Sequence, residues 1–195
     1  YNNGEFTKLN QQPPISSKTL TPGEIGIIIS TFHLFERLNV KHGSDHVMIL
    51  EDDVYLHEKF QDINTLTEEM FQNDLSYIGY NIDANHIKKF NDIKNKDQNP
   101  IIRIDGQDMK SVYFYGMYAY ICSYNFRKKV LKMGIEWFLQ NNLTIDYGFN
   151  ILRIFHTIKS VCTRTHYVMP DIGQEDADAL HPKQERLDNE IKTID

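Results

Sequence analysis

Apolar and polar positions along the chain switch repeatedly between helical and strand-like spacing. The first strong signal is a helix start at Thr21-Pro22-Gly23-Glu24. It offers a capping threonine, a proline at the first helical position and a glutamate three residues after the cap. Ile27, Ile28, Phe32, Phe35 and Leu38 then form one apolar stripe, and Gly43-Ser44-Asp45 ends the helix with a turn. His46 to Leu50 is a short apolar run of the kind buried on both faces of a parallel sheet. A helix is predicted over 64–71 and a strand over 75–80, and 85–99 reads as a polar, mobile stretch. Strands follow at 101–104 and 112–122, the second broken at Gly116. Helices are expected over 125–139 and 145–158, then a strand over 161–169 leading to Pro170.

Helix and strand in alternation predict an α/β fold, a single Rossmann-like domain whose central sheet is mostly parallel and flanked by helices. Residues 1–19, with Pro13-Pro14, read as a loop or linker leading into a domain over 20–180, and 181–195 as a charged tail. No repeat recurs at periods of about 20–50 residues.

Composition narrows the function classes. The 195 residues are 41% hydrophobic and 12% aromatic, which describes a folded chain with one sizeable core. The net charge of -6 argues against nucleic acid or an anionic membrane as partner. No apolar run approaches the ~18 residues of a transmembrane helix. Cys122 and Cys162 are too few for a disulfide scaffold and lack metal-ligand spacing; they either pair or remain buried thiols. The chain opens at Tyr1 and is expected to be a piece of a longer protein, so localisation is left open.

The sharpest chemical feature is Leu50-Glu51-Asp52-Asp53-Val54, three carboxylates directly after an apolar strand. Open α/β sheets bind ligands at such strand ends. In extended geometry Glu51 and Asp53 point one way and Asp52 the other. Two like charges about 5 Å apart repel by roughly 3 kcal/mol at an effective dielectric near 20. A hard divalent cation would convert that repulsion into binding, and oxygen ligands suit Mg²⁺ or Mn²⁺. The bland alternative is a solvated turn or a helix cap.

Taken in order, Leu20-Thr21-Pro22-Gly23-Glu24-Ile25-Gly26, a helix with Ser30 and His33, and Met48-Ile49-Leu50-Glu51-Asp52-Asp53 resemble the lipopolysaccharide and procollagen galactosyltransferases of glycosyltransferase family 25. Tyr77-Ile78-Gly79, the run Tyr115 to Ser123, Thr144-Ile145-Asp146 and the segment Pro170 to Gln174 continue the resemblance over about residues 20–180. The family's Ser-His pair here reads Ser30-Thr31-Phe32-His33, and Leu143-Thr144 stands where a proline is usual. The family also opens with a strand carrying the nucleotide end of the donor site, and none is read before residue 20.

The resemblance implies a GT-A fold, a UDP-sugar donor, Mn²⁺ (or Mg²⁺) and inversion at the anomeric carbon. The transferred sugar would be galactose or glucose, and the acceptor a hydroxyl on a glycan or a collagen-like hydroxylysine. Glu51 and Asp53 would be metal ligands, with His181 as third ligand and Asp176 and Asp178 as its rivals. Asp52, Tyr115 and Gly116 would lie against the donor. Asp146 would be the base that deprotonates the acceptor, or else a helix N-cap. Glu24 reads as a capping residue before it reads as a ligand, and Trp137 as core. Tyr113, Tyr115, Tyr118 and Tyr120 either stack on sugar or uracil or pack the sheet; Gly116 either admits a ligand or marks a bulge. The rival functions are a non-catalytic carbohydrate- or partner-binding domain descended from such an enzyme, and a metal-dependent phosphohydrolase.

Overall fold

A computed structural model describes residues 19–96, 98–109, 111–155 and 158–170. The expected leading segment (all but its last residue), the tail over 181–195, and His181, Asp176 and Asp178 lie outside them.

The first helix, α1 (Pro22–His42), begins where the capping pattern places it. Glu24 N–H donates to Thr21 Oγ1 at 3.3 Å and Thr21 N–H donates to Glu24 Oε2 at 2.8 Å, so both orphan donors are satisfied. Glu24 is thus a capping residue. Its apolar stripe buries Ile28, Phe32 and Phe35.

Strands β1 (Val47–Leu50), β3 (Leu75–Ile82), β4 (Ile101–Arg103), β5 (Phe114–Cys122) and β6 (Ser160–Thr163) form a sheet in the order β1-β5-β3-β6-β4. Strands β2 (Val54–Leu56) and β7 (Val168–Pro170) make a separate antiparallel pair. The expectation of a mostly parallel sheet is overturned: only β3 and β6 run parallel, while β1/β5, β3/β5 and β4/β6 are antiparallel. The cause lies after β3. The polar stretch there holds a helix, Ile87–Lys94, which buries Phe90. Eight helical residues rise only about 12 Å, against about 26 Å for an eight-residue strand. The chain instead re-enters the sheet in the opposite sense, as short β4 against β6 and then as β5, which starts at Phe114 beside Ile82 and ends at Cys122 beside Leu75.

Strand β1 corrects a second expectation. It is an edge strand among those described, with Val47 and Ile49 half-buried and Met48 and Leu50 facing out. The helix expected over 64–71 is a 3-10 turn, Phe60–Leu66, running into α2 (Thr67–Phe71). The helix after Lys94's element, expected as one piece over 125–139, is two. With α3 assigned to Ile87–Lys94, α4 spans Tyr124–Met133 and α5 spans Ile135–Gln140, broken by Gly134 at φ 83°, a left-handed conformation that glycine adopts without steric cost. The last helix, α6, spans Ile145–Ile154, and the strand expected over 161–169 divides into β6 and β7.

The sheet separates two apolar layers. On one side Phe32, Phe35, Phe126, Phe138 and Phe149 from α1, α4, α5 and α6 pack on Tyr120 and Cys122; half-buried Trp137 meets Phe138 edge-on. On the other side Ile63, Leu66, Met70, Tyr167 and Val168 cover Ile78, Ala119 and Ile121. Cys122 and Cys162 are buried free thiols, held apart by β3. No helix among the described residues is long and apolar enough to cross a membrane.

Candidate active site

The acidic cluster sits where β1 leaves the sheet. Leu50 is the last residue in register, opposite Ala119, and the Glu51 amide adds one more bond, donating to Tyr118 O at 2.9 Å. Residues 52–53 then bend toward β2. The extended geometry that would set Glu51 and Asp53 apart from Asp52 therefore stops at Leu50. Glu51 keeps surface in contact with solvent, yet its carboxyl is enclosed enough to feel burial. That burial, and then the charges of Asp53, Asp146 and Asp52 in that order, push it up to about 7.

Asp146, about a hundred residues further on in sequence, reaches the cluster through an irregularity in β5. Between the pairs Gly79↔Ala119 and Asn81↔Tyr115, β3 advances two residues while β5 advances four. The surplus is absorbed at Gly116–Tyr118, a bulge. Gly116 takes φ 52° there, so its N–H leaves the ladder and donates to Asp146 Oδ2 at 3.0 Å. The Tyr118 ring folds back over the bulge: a Cβ on Gly116 would stand 2.8 Å from Tyr118 Oη. Asn81 Nδ2 donates to that same hydroxyl.

Helix α6 fixes Asp146 in place. Thr144 is the N-cap, its Oγ1 accepting from Tyr147 N–H at 3.4 Å, so Asp146 is released from the capping role. Among the described residues its Oδ1 accepts no hydrogen bond. Burial pushes its carboxyl up to about 6, outweighing the Gly116 N–H that lowers it. One and two turns on, Asn150 and Arg153 hold the start of β5. Asn150 Oδ1 accepts from Phe114 N–H at 3.2 Å and its Nδ2 donates to Phe114 O at 2.6 Å. Fully buried Arg153 donates to the carbonyls of Ile104 (2.8 Å), Met109 (2.9 Å) and Val112, with its guanidinium 5.2 Å from the Phe114 ring centre.

Of the other expected site residues, Asp52 and Asp53 are exposed beside Glu51, and Tyr115 is exposed opposite Asn81, close enough to Asp83 for that charge to raise its phenol further. Tyr113 stacks on Tyr147 at 5.7 Å, and Tyr120 packs edge-on to Phe149 at 5.7 Å, so these two serve packing. Ser30 spends its hydroxyl on Ile27 O, and His33 is exposed on α1. Asn81, Asn150 and Arg153 escaped the sequence reading. The polar positions Asp146, Asn150 and Arg153 at i, i+4 and i+7 on an otherwise apolar helix were the available signal.

The ligand chemistry suits a hard cation, since the cluster offers only carboxylate oxygens. Among the described residues no three His, Cys, Asp or Glu side chains stand close enough to hold a metal by themselves.

The model of Glycosyltransferase family 25 (LPS biosynthesis protein) matches residues 2–147. The chain belongs to that family. It is a glycosyltransferase, an enzyme that moves a sugar from a donor to an acceptor. The match takes in Glu51, Asp53, Gly116 and Asp146; it starts ahead of the expected boundary at residue 20 and stops before Pro170. No curated protein matches the chain.

Proposed function

We propose that this glycosyltransferase moves a hexose, galactose or glucose, from a UDP-sugar to a hydroxyl of a glycan or of a collagen-like hydroxylysine, with inversion and with Mn²⁺ or Mg²⁺. The observation that carries the reading is the Gly116–Asp146 hydrogen bond, which brings a carboxyl of raised pKa to the strand bulge bordered by Glu51. Glu51 and Asp53 would hold the cation, and His181 would supply a third ligand. Bound there, the cation would neutralise charge on the departing diphosphate. Such a cation keeps waters and takes substrate phosphates into the rest of its shell, so few protein ligands suffice. Asp52, Tyr115 and the open backbone at Gly116 would border the donor.

Inversion requires one base. Asp146 suits it: Gly116 holds Oδ2, Oδ1 is left to accept a proton, and a pKa near 6 leaves the group ionised yet basic at neutral pH. Isothermal titration with Mn²⁺ and UDP, UDP-glucose or UDP-galactose tests the reading. Metal-dependent UDP binding that disappears in Asp53→Ala is the expected result. A chain that binds no nucleotide would instead be a carbohydrate- or partner-binding member of the family.

A further inference from the structure

We infer that Tyr118, oriented by Asn81, is a substrate-contacting residue that works with Asp146 to hold the attacking hydroxyl of the acceptor; this rests on the assignment of Asp146 as base. The β5 bulge brings the two groups together. Tyr118 folds back over Gly116, 2.8 Å from where a Cβ would be, and the Gly116 N–H is bound to Asp146. The phenol and the carboxylate therefore flank one glycine.

The direction of the hydrogen bonds sets the ligand class. Asn81 Nδ2 can only donate, so the Tyr118 oxygen accepts and its hydrogen remains available. No described residue takes that hydrogen. A phenol, with an ordinary pKa of about 10, keeps that hydrogen at neutral pH and so stays a donor. A carboxylate that accepts beside a phenol that donates matches an alcohol, which has one hydrogen to give and lone pairs to fill. An anion would meet the Asp146 carboxylate across the same glycine and be repelled. Neutral sugar or side-chain hydroxyls, and water, are the fitting occupants.

The test uses the whole chain with Mn²⁺ and UDP-galactose or UDP-glucose, following UDP release to water and transfer to a hydroxylysine-containing collagen-like peptide. Tyr118→Phe is expected to slow both attacks about tenfold and to raise the peptide KM, with UDP affinity and the pH midpoint unchanged. Asn81→Asp, nearly the same shape, reverses the hydrogen bond and draws the phenol proton away; it should reproduce the defect with a melting temperature close to wild type. Unchanged attack rates in both variants would overturn the inference and leave the function standing. Lost UDP affinity in Tyr118→Phe would move the residue to the donor side, also overturning it. A wild-type chain that releases no UDP would overturn the parent reading and this one together.

Discussion

Asp146 takes its hydrogen bond from Gly116, thirty residues away on β5, while Thr144 caps the helix on which Asp146 stands. The carboxylate is thus bound to the sheet and not spent on its own helix. Asp146→Asn keeps an oxygen for the Gly116 N–H and removes the carboxylate proposed as base. Transfer should fall by about 10²–10⁴-fold with metal-dependent UDP binding retained, as read by single-turnover kinetics beside calorimetry.

Acidity links activity and stability in opposite senses. With Asp146 at about 6 and Glu51 at about 7, the transfer rate should rise as pH passes 6, and metal affinity as it approaches 7. Both carboxyls titrate higher when folded than when unfolded, so the folded state binds the extra protons. Their stabilising contribution is full below about pH 4 and lost as pH rises through 6 to 7. Thermal melts of the metal-free chain should therefore fall over that window, and Glu51→Gln should flatten the fall. A melting temperature that climbs from pH 5 to 7.5 would count against the acidic cluster.

Gly116→Ala is expected to cost about 2 kcal/mol, because φ 52° is strained for alanine and the new methyl would meet the Tyr118 hydroxyl at 2.8 Å. Urea denaturation measures the loss. Activity at temperatures where the variant stays folded should fall further than stability alone explains, since the bulge holds Asp146 and Tyr118.

Asn150→Ala strips Phe114 of both its hydrogen bonds to Asn150 and should destabilise by about 2 kcal/mol. Arg153→Met should cost more, about 3 kcal/mol or above, by leaving the Ile104, Met109 and Val112 carbonyls without their donor. Chemical denaturation of the two variants checks the order.

The sequence was legible where a local rule decides the outcome. The capping box at Thr21 and Glu24, the stripe of α1 and the strand of Tyr77 all stand where pattern placed them, and the acids of Glu51 to Asp53 do follow a strand end. What pattern misjudged depends on partners distant in the chain. Alternating helices and strands suggest a parallel sheet only if each helix spans its strand, and Ile87–Lys94 is too short. The glycine in β5 did mark a bulge at Gly116, but its size and the Asp146 bond it frees are defined only against β3 and α6. Asp146 could be read as cap or base because both begin a helix. The cap reading falls because the Thr144 side chain takes that place.

The stripe of Asp146, Asn150 and Arg153 has one more consequence. A helix tied to β5 and its approach loop at three successive levels has no freedom to slide or rotate, for a one-residue turn would break every tie at once. On the reading proposed above, in which Asp146 takes the acceptor's proton, that carboxylate is a fixed post to which the acceptor hydroxyl is brought.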